Sequence, residues 1–306
     1  AKCQKPCCGA KKIVENLIRK ILNPILKNQE TILLSNGKIL SNQQFSMNST
    51  NIEDYEFKVF SQRGEDGIIQ YLIKNIKIEN ETFIEFGVEN YMESNTRFLL
   101  MNNNWRGFII DGSKSAMDSL KKRNWFWAYQ LEAKAAFITK ENINDLLKES
   151  KFQNLGLLSI DIDGNDYWIF ETLDFSVLNP SIIICEYNAL FGSERAISVP
   201  YDSNFIRTNA HYSNLYFGAS LKALTIIANK KGYALVGCNK NGTNAFFIRK
   251  DLLNEKIKEI TVSEGFREDY CRQSRDHNYK LSLIGGDDRL DLIRGLPVIN
   301  IIDNST

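Results

Sequence analysis

The chain has 306 residues, 43% hydrophobic and 25% charged, enough to bury one substantial core with appendages. A formal net charge of +1 supplies no global field for nucleic acid or a membrane, so a nucleic-acid partner is not expected. No run approaches the roughly 18 to 20 apolar residues that span a bilayer, and the first residues lack the apolar core of a signal peptide; the expectation is a cytoplasmic protein.

Cys3, Cys7 and Cys8 crowd the beginning of the chain without the second pair or nearby histidine of a zinc site. Cys185 and Cys238 sit in apolar runs, as reduced buried thiols do. Over 11–27, Ile13, Leu17, Ile21 and Ile25 lie beside Val14, Ile18, Leu22 and Leu26 at helical spacing, opposite Lys11, Lys12, Arg19, Lys20 and Lys27. Such a helix suits either peripheral contact with an acidic membrane or packing on the body or on a second copy in a homo-oligomer. Residues 28–56, rich in Asn, Ser and Gln, read as a linker with a short hairpin at Asn36 and Gly37, which gives an N-terminal appendage over 1–59.

From residue 60 the pattern becomes regular. A helix is predicted over 62–75, followed by strands at TFIEFG (82–87), RGFIID (106–111), FWAYQL (126–131), GLLSID (156–161) and SIIICEY (181–187), with helical stretches between them. This alternation predicts an α/β fold with a parallel sheet covered on both faces. A helix over 219–231 precedes YALVG (233–237) and NAFFIRK (244–250), two strands joined by an Asn/Gly turn. A hairpin ending predicts the methyltransferase variant of a Rossmann-like fold, seven-stranded, over 60–250. Residues 251–306 form a polar C-terminal extension.

Ligands of open α/β sheets sit beyond the carboxyl ends of the strands. The first strand ends in FIEFGVEN, where Gly87 stands alone between Glu85 and Glu89, whereas a pyrophosphate needs a GxGxxG turn and a helix N-terminus. A cofactor with a cationic sulfonium suits this loop better. Asp111 ends the second strand twenty-four residues beyond Gly87, where a carboxylate commonly accepts ribose hydroxyls; the alternative is that it caps the next helix. Asp161, Asp163 and Asp166 surround the fourth strand tip, and Glu186 and Asn188 the fifth. Such oxygens at adjacent tips could hold a hard divalent cation such as Mg²⁺, with Asp163 and Glu186 as its ligands, or Asp163 could cap the helix near 165 while Glu186 forms a salt bridge.

The long segment 188–217 carries Tyr201, Asp202, Asn204, Arg207, Asn209, His211, Tyr212 and Asn214, a polar and aromatic set that reads as a lid over a glycosyl-like acceptor. His211 is the candidate imidazole base; His277 lies in a polar tail.

The motifs SQRGEDG (61–67), FIEFGVEN (83–90), GFIIDGS (107–113) and LLSIDIDGNDYWI (157–169) resemble class I S-adenosylmethionine-dependent methyltransferases, particularly the FkbM-type branch associated with bacterial polysaccharide and natural-product clusters. Glu89 departs from the pattern, standing where a second glycine often does. The resemblance implies S-adenosylmethionine as cofactor, with Glu85 and Gly87 at its methionine portion, Asp111 at its ribose and Asp161 a further cofactor-binding residue. It implies that Gln62 and Asp66 border the methionine end, and that Ser94, Asn95 and Thr96 contact the cofactor. The expected reaction is O-methylation of a sugar or similarly polar small acceptor, with Asp163, Glu186 or His211 taking its proton. Two other readings stand beside it: an NAD-dependent or nucleotide-sugar Rossmann enzyme, and a membrane-associated scaffold acting through its basic helix.

Overall fold

The computed structural model describes residues 28–303. The amphipathic helix expected over 11–27 and the cysteines at 3, 7 and 8 lie outside the described residues. Where a linker and hairpin were expected, a helix, α1, runs over 28–43. Its inward face carries Leu34, Gly37, Ser41 and, just beyond, Gln44, spaced by three and four residues. A Cβ on Gly37 would come within 2.5 Å of Val59 Cγ2 and 2.7 Å of Phe98 Cε2, so glycine here permits close packing of helix on core and makes no turn. The Asn-Gly pair is a turn signal only where the flanking residues have no other surface to cover.

The sheet strands are β1 (Thr82–Phe86), β2 (Arg106–Asp111), β3 (Leu131–Ala135), β4 (Leu157–Ile160) and β5 (Ile182–Glu186). After a two-residue strand β6 (Ile197–Ser198) come β7 (Tyr233–Cys238) and β8 (Asn244–Arg249). Seven of these form one sheet in the order β3-β2-β1-β4-β5-β8-β7, parallel except for β8, which runs antiparallel to both β5 and β7. This is the expected Rossmann-like sheet with a hairpin end. The third strand is shifted: Phe126–Ala128 make a 3-10 turn and the strand follows at Leu131–Ala135. Trp125 is drawn into an aromatic cluster with Tyr91, Phe126 and Tyr129. The true edge strand alternates Leu131 and Ala133 inward with Glu132 and Lys134, residues of low strand propensity.

Alternate side chains fill two cores. Ile84, Phe86, Ile110, Leu158 and Ile183 face α5 (Ile143–Lys148), α6 (Asp166–Thr172), α7 (Phe175–Leu178) and α9 (Leu221–Lys230), which follows the short α8 (Arg207–Ala210). Phe83, Ile109, Leu157 and Ile184 face α2 (Glu65–Asn75), α3 (Arg97–Asn103) and α4 (Lys114–Leu120). Burial on both faces explains the near-continuous apolar strands. The C-terminal extension carries α10 (Val262–Gly265), α11 (Asp287–Ile293) and β9 (Ile299–Asn300), which pairs with β6. Cys185 and Cys238 are buried free thiols, as expected. No described helix is long and apolar enough to cross a membrane.

Candidate active site

The parallel register sets Glu85 opposite Ile109 of β2 and Ser159 of β4, so the carboxyl ends of the central strands finish at one level. Gly87 follows β1 with φ +69, and a Cβ there would lie 1.6 Å from the carbonyl oxygen of Asp161. Only glycine fits where the β1 and β4 tips abut. The loop then turns through Glu89, φ +46, whose N–H donates to Asp111 Oδ2 at 2.7 Å. Asp111 Oδ1 accepts from the Ser113 N–H at 2.7 Å, and it is the Ser113 side chain, not Asp111, that caps α4. Each Asp111 oxygen retains a further lone pair, and the residue lines a cavity.

Glu85 is 4% exposed and largely consumed internally. It accepts from Ser94 Oγ at 2.6 Å, the Asn95 N–H at 2.8 Å, the Thr96 N–H at 3.1 Å and the Thr96 hydroxyl. Burial raises its pKa against these bonds. Glu85, Ser94 and Asn95 still line the cavity, whereas Thr96 is fully buried and serves Glu85 and Tyr91. In SQRGEDG, one oxygen of buried Asp66 accepts the N–H groups of Val59, Phe60 and Ser61 at 2.7–2.8 Å, which gives it a structural position away from the cavity wall. Glu65 accepts from the N–H groups of Arg63 and Gly64 and from Asn239 and Asn244, tying the start of α2 to the β7–β8 hairpin. Gln62 and Arg63 are left on the cavity wall.

Two contiguous cavities of about 160 and 180 Å³ share Gly87, Glu89, Asp161 and Asp163. The smaller runs along Asp111 between Phe137, Ile138 and Phe205. The larger continues past Gln62, Arg63, Glu186, Arg207 and Asn244 to Cys271 and Gln273 of the C-terminal extension. A cleft of about 580 Å³ opens at the amino-terminal ends of β1, β2 and β3, the end of an open sheet where ligands do not ordinarily bind.

Asp161, Asp163 and Glu186 bring one oxygen each within 4.8 Å of one another. The turn that does this is shaped by Asp166, which accepts the N–H groups of Ile162 and Gly164 at 2.9 Å and whose pKa burial raises to about 6. Burial, then neighbouring carboxylates, raise Asp161 and Glu186 well above the ordinary carboxylate range. Arg207 lies against this cluster, 2.6 Å from Asp163 Oδ1 and 4.0 Å from Glu186 Oε1, with its guanidinium over Phe217 at 3.5 Å. Burial opposes its charge, but Glu186 and Asp163 more than offset that and raise its pKa. Glu186 Oε2 and Arg207 Nη2 remain buried without partners.

This arrangement fits a resident metal at Asp163 and Glu186 poorly, because a fixed guanidinium already occupies the cation position beside both ligands. His211 lines neither cavity: its Nδ1 meets Ser213 Oγ at 2.7 Å and its ring packs on Tyr212, which stacks on His277. Burial and His277 lower its pKa. The segment 188–217 is an anchored wall, held by Asn188 to the carbonyls of Leu215 and Phe217 and by Asn165 to that of Asp202. Sequence reasoning missed Arg63, Phe137, Asn244 and Cys271 at the site; none belongs to a strand-tip acid pattern.

No family model matches the chain, and no curated protein matches it. Among solved structures, TrmK of M. capricolum in complex with S-adenosylhomocysteine is 14% identical, covering 65% of this chain and 74% of its own, with a TM-score of 0.37. The N-terminal domain of EvdMO1 with S-adenosylhomocysteine bound is 10% identical, covering 62% and 80%, with a TM-score of 0.40. A putative caffeoyl-CoA O-methyltransferase from Staphylococcus aureus is 14% identical, covering 70% and 99%, with a TM-score of 0.35. At these scores the likeness establishes neither family nor activity.

Proposed function

We propose that the chain is an S-adenosylmethionine-dependent methyltransferase acting on the oxygen of a small polar acceptor, sugar-like in its hydrogen bonding. The observation that carries this reading is the pair of joined cavities at the strand tips, with Asp111 at one end and the Asp161–Asp163–Glu186 cluster at the other. A carboxylate flanked by apolar and aromatic walls suits a nucleoside, with the ribose hydroxyls donating to the free lone pairs of Asp111. An acid-lined junction at Gly87, Glu89 and Asp161 suits a sulfonium and an ammonium and repels a pyrophosphate. The resemblance of the four motifs to FkbM-type methyltransferases supports the same reading, and with it a setting in surface-polysaccharide or natural-product synthesis.

S-adenosylmethionine, held along Asp111 and Gly87, would supply an electrophilic methyl group to the acceptor oxygen and would leave as the neutral thioether. Alignment of oxygen, methyl and sulfur is the chief demand. Glu186, which lines the cavity with one carboxyl oxygen unpartnered, is the group suited to take the acceptor's proton in its ionised form: burial and Asp161 raise its pKa and strengthen it as a base, and Arg207 opposes them by favouring the carboxylate. Arg207 holds the other Glu186 oxygen side and keeps the acid cluster from excessive charge. No step requires a metal.

Calorimetric titration with S-adenosylhomocysteine tests the reading. Saturable binding to the native protein, weakened by roughly tenfold or more in Asp111→Ala through loss of charge-assisted hydrogen bonds, is the expected result. Absence of binding to the native protein overturns it.

A further inference from the structure

The cofactor proposed above carries an amino-acid carboxylate as well as two cationic groups, and an acid-lined cavity must supply that carboxylate with a cation. Two basic residues line the cavities, Arg63 and Arg207. Arg207 has its charge committed, with its Nη1 on Asp163 and Glu186 and its Nε donating to the Asn214 carbonyl, so that only Nη2 is unpartnered. Arg63 enters none of the ion pairs among the described residues. Its Nε is buried and unpartnered, an uncompensated donor next to the cavity.

What holds Arg63 there comes from the far end of the chain. Its Nη2 donates to Cys271 Sγ. The strand of chain around Cys271 is in turn fastened by Arg289 of α11, 5% exposed, which donates to the Cys271 carbonyl at 2.6 Å and to Asp269 Oδ2 at 3.0 Å, and also to the Asp269 carbonyl. From below, the Arg63 N–H is held by Glu65 at 2.9 Å, which fixes the backbone on the α2 side.

We infer that Arg63 is the receptor for the α-carboxylate of the cofactor, and that the C-terminal extension, through Arg289 and Cys271, is the element that positions it. The inference rests on the methyltransferase reading. It gives 251–306 a part in the cofactor site, where its polar sequence alone suggested a surface tail.

The test compares two probes on the full chain: S-adenosylhomocysteine, which has the amino-acid end, and 5′-methylthioadenosine, which keeps the nucleoside and lacks the carboxylate. Arg63→Met should weaken S-adenosylhomocysteine by roughly 10- to 100-fold, the range of a lost charge-assisted contact, while 5′-methylthioadenosine changes by less than about twofold. Arg63→Lys should recover part of the loss, since it keeps the charge without the fork. Arg289→Met should reproduce the selective loss in weaker form. Equal weakening of both probes by Arg63→Met, or no weakening of S-adenosylhomocysteine, overturns the assignment. Failure of the native protein to bind S-adenosylhomocysteine strikes the methyltransferase reading itself, a separate outcome.

Discussion

Replacing Arg207 with Met removes the guanidinium, and with it both the charge beside Asp163 and Glu186 and the stacking over Phe217; only the first of these depends on pH. Two unit charges about 4 Å apart interact by about 4 kcal/mol at an effective dielectric near 20, which sets the scale for the Arg207–Glu186 pair at 4.0 Å. The Asp163 side chain is 61% exposed, so its closer contact adds no more than about 1 kcal/mol. Side-chain entropy released by the substitution offsets part of this, leaving a loss of roughly 2–4 kcal/mol at alkaline pH. A fall in Tm on the order of 3–6 °C follows for a chain of this size. The loss must shrink on acidification: burial and neighbouring acids raise the pKa of Glu186, and once it binds a proton there is no unpaired charge for Arg207 to relieve. Thermal melts of the native protein and the variant at pH 8 and pH 5 measure the difference. The same variant should acquire Mn²⁺ affinity, read by calorimetry, because three oxygens within 4.8 Å lose their resident cation. A Tm loss equal at both pH values, or no gain in Mn²⁺ binding, refutes the reasoning.

Gly87→Ala should abolish cofactor binding while leaving a folded but less stable protein, since the left-handed backbone alone costs about 1–2 kcal/mol and the new methyl forces the β1 and β4 tips apart; circular dichroism with S-adenosylhomocysteine titration checks both, and unchanged binding would contradict the close approach. Affinity for S-adenosylmethionine should fall as pH drops from neutrality toward the ordinary carboxylate range, more steeply than affinity for S-adenosylhomocysteine. The sign follows because burial and mutual repulsion raise Asp161 and Glu186 in the free protein, and a bound sulfonium favours their ionised forms, so binding releases protons. Calorimetry in buffers of different ionisation enthalpy measures that release, and parallel profiles for the two ligands would count against a sulfonium beside these acids.

The fold was legible because its strands are buried on both faces: Phe83 and Ile84 enter different cores, so TFIEF is buried at every position and carries apolar residues on both faces, with Glu85 the acid near its tip. The same logic explains the errors. The edge strand Leu131–Ala135 has one exposed face, and its Glu, Ala and Lys residues carry a weaker signal than the aromatic run before it, of which Phe126 and Tyr129 pack around Trp125 while Trp127 is exposed. Helix α1 was hidden because its contact face contains a glycine, a serine and, just beyond the helix, a glutamine, and what they contact, Tyr55, Val59, Gly67, Gln70 and Phe98, lies 11 or more residues further along the chain.

The site was legible in residue type and much less so in role. Glu65, Asp66, Glu85, Asp111, Asp161 and Asp166 are all acids in the motifs, yet hydrogen bonding divides them. Glu65 and Asp166 spend their oxygens on nearby N–H and amide groups, Glu85 nearly does so, and Asp66 spends Oδ2 on three N–H groups while its unpartnered Oδ1 is buried away from the cavity wall. Asp111 keeps lone pairs on a cavity, while Glu186 keeps an orphaned oxygen. Which acid is consumed depends on which amides the loops deliver, and the loops turn through positive φ at Gly87, Glu89 and Asp163. At Glu89 and Asp163 that conformation is held by tertiary bonds, to Asp111 and Arg207 respectively, more than by local preference. A motif therefore locates the cluster of acids at the strand tips, and the long-range partners decide which of them are free to meet a ligand.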